Sequence, residues 1–484
     1  MTAAGAFSAL RAAQRAAAVL DRGTFLPLSG VAVDLPVVVG SGVLAGRPVL
    51  VAFTDGHVHG GTVGVRESAL IARLAESAAS RQELRGQAPV AFILGFDTGG
   101  VRVQEGPVAL AAASAVGVAL ARLSLRGPPL AAVISGPRGC FGAMAVMAAL
   151  PERIIMTADA HWGLTGPKLL GDVSLAAGGD RAAAQTQAAE QAARAASAAA
   201  NRLQNGDAQC VVADTSAAVR AALEEFVSNP RSRLPLSLHD RILQSAAVAT
   251  GLQARLQADP SWRATPPKRT REPRRRDLLR YSLHGQWHPH DEIERRGLVH
   301  AALGTLATHP ALGLIVGPEQ ADGSGVGMPE AALVTEMLTR AVRQPGTERT
   351  AILTFLFCQG HAVDCAQERF GLHRALAECL RAMVAARLLG HPIVSILGGG
   401  TYGAAYLALA APSHRILAMR GTSVAPMAPD VLRAFEAIRG RKAAERDGSQ
   451  LAELIPDIRI VDSVIRLRRV LREELLQILE EGVS

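Results

Sequence analysis

The sequence predicts an α/β protein made of two copies of one unit, and three observations carry that prediction. Short apolar runs alternate with helical stretches and glycine-rich loops. The order of these pieces recurs in both halves of the chain. A basic, proline-bearing stretch separates the halves. At 484 residues the chain exceeds one ordinary hydrophobic core, so a two-domain reading also fits its length. Ala, Val, Leu and Gly supply most of the filling and aromatics only 4%, which suits helices packed closely on parallel strands.

In the first half the run VAFIL (Val90–Leu94) leads into the loop DTGGVR (Asp97–Arg102). A helix is expected over Gly106–Leu125, with a Gly-Pro break at Gly127–Pro128. A second run, Leu130–Ile134, meets GPRGCFG (Gly136–Gly142), and a further helix opens at Ala143. In the second half Ala351–Phe357 leads into CQGHAVD (Cys358–Asp364). One helix is expected over about Gln367–Leu389, with a break at Gly390–Pro392. The strand Ile393–Leu397 then meets GGGTYG (Gly398–Gly403), and a helix opens at Ala404. Pro129 and Pro392 stand 263 residues apart, as do Gly136 and Gly399. A matched order at matched spacing reads as duplication.

The expected boundaries are a first domain over 1–261, a basic linker over 262–284 and a second domain over 285–484. Between Trp262 and Arg280 stand eight Lys/Arg against two acids, a surplus of +6 within a net charge of +8. The imbalance is therefore local. It reads as a solvated linker, with docking of an acidic partner as the alternative. Without interleaved aromatics it does not argue for nucleic acid. The Ala-rich segment Asp180–Leu203 favours helix but has almost nothing large to bury, so it is expected as an exposed helix or insertion. No signal peptide is read from the N-terminus, which Arg11, Arg15 and Asp21 interrupt, and no membrane span, because Val108–Ala121 stops at Arg122. Five scattered cysteines (Cys140, Cys210, Cys358, Cys365, Cys379) suit reduced thiols in a cytoplasmic protein.

The chemistry is expected in the loops. The first N–H groups of a helix lack intrahelical acceptors and lie at the positive end of its dipole. Two such groups from different loops, aimed at one point, form an oxyanion hole. The candidate donors are Gly99 or Gly100 with Cys140 or Phe141 in the first half, and groups near Gly360 and Gly403 in the second. His57 and His59 lie two apart on what reads as a strand and make a poor metal site. No G-x-S-x-G, P-loop, H-E-x-x-H or C-x-x-C occurs. Gly398, Gly400 and Gly403 do spell a dinucleotide fingerprint. The following strand, however, ends at Arg420, where NAD recognition wants an acid.

The segments DTGGVRVQEGPVALAAA (Asp97–Ala113), AAVISGPRGCFGAMAVMAALPERIIMTADAHWGLTGPKLL (Ala131–Leu170), RAAAVLDRGTF (Arg15–Phe25) and HGGTVGVRESALIARL (His59–Leu74) resemble the β subunit of malonate decarboxylases. Gln367–Met419 resembles the γ subunit. Both subunits belong to the carboxyltransferase branch of the crotonase superfamily. The resemblance therefore implies two duplicated crotonase-like (ββα spiral) domains joined by the basic linker. It implies that a malonyl thioester on an acyl-carrier protein loses CO2 and that the resulting enolate is protonated to acetyl. It implies that Gly99, Gly100, Cys140 and Phe141 line the thioester hole, and that the amides near Gly403 and Ala404 hold the departing carboxylate or CO2.

No covalently bound cofactor is expected, because the CoA-like prosthetic group arrives on the carrier. The expected partners are that carrier and an acyl transferase subunit, without nucleic acid or membrane and with homo-oligomers left open. A biotin-dependent carboxyltransferase and a non-catalytic carrier-binding scaffold are the alternative readings. The γ-like half departs from its family at Phe357 and Cys358, at Tyr402, Gly403 and Ala404, and at Ala425 and Pro426. His361, His373 and Glu105 are the candidates for proton delivery, with His361 preferred.

Overall fold

The structure is a computed structural model. It describes residues 5–28, 35–85, 91–170, 183–228, 236–260, 262, 287–290, 292–306, 308–317, 325–343, 349–358, 360–429, 431–433 and 451–480. In the first half β1 (Leu26–Pro27), β2 (Val37–Leu44) and β3 (Arg47–Thr54) pair antiparallel. Next, β4 (Ala91–Phe96), β5 (Leu130–Ile134), β6 (Arg153–Thr157) and β7 (Cys210–Val212) extend the sheet in parallel, in sequential order. Its helices are α1 (Ala12–Val19), α2 (Val65–Arg85), α3 (Pro107–Arg126), α4 (Ala143–Ala148), α5 (Ala183–Ser197), α6 (Ala199–Gln204), α7 (Ser216–Ser228) and α8 (Leu238–Ala258).

The second half repeats the plan. After β8 (Trp287–Pro289) and β9 (Glu294–Arg296), β10 (Val299–Leu306) and β11 (His309–Val316) form the antiparallel hairpin. To it β12 (Ala351–Leu356), β13 (Ile393–Leu397), β15 (Arg415–Met419) and β17 (Ile458–Val461) add in parallel. A two-stranded ladder, β14 (Thr401–Tyr402) with β16 (Val424–Ala425), stands apart from this sheet. The helices are α9 (Met328–Val342), α10 (Cys365–Phe370), α11 (Leu372–Leu388), α12 (Gly403–Ala405) and α13 (Val464–Glu480). The two sheets thus share a hairpin followed by parallel strands in the same order.

Every residue of β4 and β12 is buried, which is why these strands read as unbroken apolar runs. On the outer face of the first sheet α1 and α7 cover Val49, Val51, Ile93, Val133 and Ile155. On the outer face of the second, α13 covers Leu353, Phe355, Val394, Ile396 and Leu417. The inner faces and their helices form one apolar cluster that runs through both halves. Gly117 on α3 faces Leu407, where a Cβ would meet the leucine Cδ1 at 2.5 Å, so the glycine lets the halves approach. By length and hydropathy α3 is suited to cross a membrane, yet 67% of its most apolar window is buried inside the protein.

Four expectations change. The single helix over Gln367–Leu389 is two, α10 and α11, because Gly371 adopts φ +94 and ends the first turn set. The Ala-rich segment is helical but not merely exposed: Ala193, Ala196 and Ala199 are buried, and α5 packs on α10. His57 and His59 lie in a turn after β3, not on a strand. The boundary expected at 261 assigns α8 to the first domain. In the structure α8 packs on α9 and α11 of the second half, with Ser245 Oγ donating to Glu378 at 2.7 Å and Thr250 Oγ1 to Glu336 at 2.8 Å. Apart from Trp262, the basic linker lies outside the described residues up to its expected end at 284.

Candidate active site

The first-half loop grows out of β4 onto a buried carboxylate. Asp97 and Arg15 are both fully buried, with Arg15 Nη2 3.4 Å from Asp97 Oδ2. Asp97 also accepts the N–H groups of Gly56 at 3.2 Å and Arg138 at 3.0 Å. A Cβ on Gly56 or Gly136 would overlap that carboxylate. One buried anion thereby gathers three loops. Burial raises the Asp97 carboxyl above its ordinary range, against the charge of Arg15, and lowers the Arg15 guanidinium.

Above this pair the backbone cross-links itself. Thr98 N–H donates to Gly139 O at 2.8 Å and Phe141 N–H to Thr98 O at 3.3 Å. Gly99 N–H donates to Gly60 O at 3.0 Å and Cys140 N–H to His161 O at 2.9 Å, while Gly100 N–H reaches Thr98 Oγ1 at 3.1 Å. All four amides expected as free donors, those of Gly99, Gly100, Cys140 and Phe141, are therefore already satisfied within the protein. Bringing two glycine loops side by side pairs most of their N–H groups. Among the described residues, the N–H groups one position further on, at Val101 and Ala143, have no protein acceptor. Gly100 (φ +108) and Gly142 (φ +64) set these two peptides beside each other, since Gly142 Cα lies 3.6 Å from where a Gly100 Cβ would stand.

The second half repeats this geometry. Val326 N–H donates to Gly360 O at 2.8 Å and Ala362 N–H to Val326 O at 3.0 Å. Val63 does the same with Gly100 O at 3.0 Å and Arg102 N–H at 2.9 Å. Gly360 has φ +105 and Gly403 φ +50. Gly360, Tyr402 and Gly403 correspond to Gly100, Phe141 and Gly142, and His361 and Ala404 to Val101 and Ala143. Among the described residues the N–H groups of His361 and Ala404 have no protein acceptor, whereas Gly403 follows the ladder of Tyr402 with Ala425 and its N–H is spent there, as that of Gly142 is on Leu164 O. Here the expected residues do come together: His361 Nδ1 lies 3.8 Å from a Gly403 Cβ position. Helices α4 and α12, which follow the two loops, touch across the halves. Where the first half buries Asp97 between Gly56 and Gly136, the second packs Phe357, its backbone and Cβ against Gly317 and its ring against Gly398.

Side chains around the loops are held neutral. Burial pushes the His361 imidazole down to about 4 and the Cys358 thiol up to about 11, and raises Cys140 well above its ordinary value. Burial thus favours the uncharged imidazole of His361 at neutral pH, which disfavours the imidazolium as the acid. Its Nε2 lies 3.3 Å from Thr165 Oγ1 of the first half. Glu105 is spent on structure, accepting Val65 N–H at 2.8 Å and pairing with Arg102 at 2.7 Å. His373 is buried against Trp162, ring centroids 4.1 Å apart. Sequence reasoning missed Val101, Ala143, Arg15 and Thr165. The only available signal was that a paired loop spends its first amides on its neighbour. Among the described residues no group of three or more His, Cys, Asp or Glu is placed to hold a metal ion.

Residues 12–279, more than half of the chain, match the model of the carboxyl transferase domain. The chain belongs to the carboxyl transferase family. Residues 321–439 of this carboxyl transferase further match the malonate decarboxylase gamma subunit. The parts resembling the β and γ subunits therefore succeed one another in a single polypeptide. Malonyl-S-ACP:biotin-protein carboxyltransferase MADC of Malonomonas rubra is 31% identical over 183 residues, 33% of this chain and 57% of that protein. The methylmalonyl-CoA carboxyltransferase 12S subunit of Propionibacterium freudenreichii subsp. shermanii is 36% identical over 138 residues, 28% of this chain and 24% of that protein. The chain thus spans little more than half, or less, of the curated relatives it matches. Among solved structures, the Pseudomonas malonate decarboxylase MdcD-MdcE hetero-dimer is 33% identical, covering 46% of this chain and 88% of that one at a TM-score of 0.40. The Pseudomonas malonate decarboxylase hetero-tetramer in complex with malonate is 29% identical, covering 55% and 95% at a TM-score of 0.44.

Proposed function

We propose that this carboxyl transferase decarboxylates a malonyl thioester carried on an acyl-carrier protein, leaving the acetyl thioester and CO2. The observation that carries the reading is the repeated pair of open amides, Val101 with Ala143 and His361 with Ala404. Loss of CO2 leaves an enolate whose charge gathers on the thioester oxygen. Fixed N–H donors placed there stabilise the transition state more than the ground state. In this reading the first pair holds the thioester oxygen, and Gly99, Gly100, Cys140 and Phe141 form the wall that positions it. The second pair, beside the wall formed by Gly403, receives the departing carboxylate. The neutral His361 ring lines that second site, and water supplies the proton to the enolate.

The two halves are duplicated crotonase-like domains, with α8 packed on the second and the basic segment as their linker. The carrier brings its own prosthetic group, so no covalent cofactor is needed. An acyl transferase would reload it in the cytoplasm. A second reading, transfer of the carboxyl group to biotin on a separate protein, is favoured by one fact: the Malonomonas rubra relative is named for that transfer. Incubation of the chain with malonyl-loaded carrier, with and without a biotinylated acceptor, separates the two. CO2 release without biotin supports decarboxylation. A strict need for the acceptor supports transfer, and no turnover with either overturns both.

A further inference from the structure

Glu368 lies on α10 in the second half, and its side chain is almost fully buried. Its carboxylate reaches into the first half. Oε2 accepts the N–H of Leu164 at 3.1 Å, and Oε1 accepts that of Thr165 at 2.7 Å. A carboxylate holding two successive backbone donors, one on each oxygen, is a matched fork that an amide side chain does not reproduce. Gly163 makes room for it, since a Cβ there would stand 2.8 Å from Oε2.

The gripped peptide touches both loop systems. Leu164 O accepts the N–H of Gly142, the residue before the open Ala143 amide, at 2.9 Å. Thr165 Oγ1 lies 3.3 Å from His361 Nε2 in the opposite site. Beneath the peptide, fully buried Arg202 donates to Trp162 O at 2.9 Å and to the backbone oxygen of Glu368 at 2.8 Å. The clamp therefore stands on a support that spans the halves.

We propose that Glu368 is a positioning residue that fixes the distance and angle between the first-half and second-half sites. The inference rests on the decarboxylation reading above. A malonyl group gripped at its thioester by one half and at its carboxylate by the other needs the breaking C–C bond aligned with the developing enolate. Misplacement on the scale of 1 Å costs such a reaction about 10²-fold.

The test compares wild type with Glu368→Gln, whose NH2 would oppose one of the two backbone donors. Turnover of malonyl-loaded carrier should fall about 10²-fold in kcat, with KM held within about threefold. Hydrogen exchange should rise at the amides of Gly142, Leu164 and Thr165 together, while β4 keeps its protection. Should that variant fail to fold, Gly163→Ala presses on the clamp without removing its charge and should reproduce the same pattern. Wild-type kcat in either folded variant would overturn the proposal. So would faster exchange confined to Leu164 and Thr165. If the wild-type chain releases no CO2, the decarboxylation reading fails, and the exchange data still decide whether the clamp joins the loops.

Discussion

His361 stands in the second half where Val101 stands in the first, each bridging a valine in parallel, Val326 and Val63 respectively. The backbone is the same at both positions and only the side chain differs. One fold unit thus presents two similar sets of open N–H groups with different surroundings, apolar at one and bearing a neutral imidazole at the other. In the proposed decarboxylation the two sets would hold different ends of one substrate.

Ala143→Pro isolates the first-half donor. Position 143 opens α4, where proline fits because its missing N–H has no helical partner. The variant should keep its thermal midpoint and lose about 10²–10³ in kcat for CO2 release. Gly100→Pro is no substitute, since φ +108 at that residue is closed to proline. Wild-type kcat in folded Ala143→Pro would remove Ala143 from the hole.

Cys140→Ala should leave turnover within a few-fold of wild type. Its thiol is buried and held protonated, and its N–H is spent on His161 O. The small cavity left behind should cost about 1 kcal/mol in urea unfolding. Abolished activity in a folded variant would point instead to covalent thiol chemistry.

Asp97→Asn should be among the most destabilising single changes. It leaves Arg15 buried without its countercharge, and breaking such a pair costs about 3–5 kcal/mol. Chemical denaturation of the variant reads this directly. A loss below about 1 kcal/mol would show that the gathered loops do not depend on the carboxylate.

Acid should weaken the fold through its buried histidines. Burial lowers His361 and His414 to about 4 in the folded protein, against 6.5 for an unperturbed imidazole. Both residues are neutral above that ordinary value, so their contribution to stability is complete there. As pH falls from about 6.5 towards 4, the unfolded chain takes up protons that the folded one refuses, and stability drops. The thermal midpoint should therefore fall over this window, and less steeply in His361→Asn. His361→Ala should slow CO2 release more than His373→Ala, whose ring is buried against Trp162. Equal, small effects from both would remove the His361 side chain from the site.

Much of this architecture is legible in the residue order. The strands at Leu130–Ile134 and Ile393–Leu397 stand where their apolar runs place them, because strands buried on both faces leave an uninterrupted signature. The helix openings at Ala143 and near Ala404 are legible for a related reason, since a strand, a glycine turn and a small-residue helix form a local unit. Gly371 was less visible. A lone glycine inside a helical pattern is tolerated in some helices and ends others, and only its φ of +94 decides.

By itself the sequence determined the repeated unit, the placement of the glycine-rich loops and the resemblance to the two decarboxylase subunits. These follow from periodicity and turn residues, which act over a few neighbours. Tertiary structure alone decided which N–H groups remain open, because each loop spends its amides on partners tens of residues away. It also decided that α8 packs on the second half and that Glu368 grips Leu164 and Thr165 across about 200 residues of sequence. A hydrogen bond of that range depends on how two cores meet, and no local pattern records it.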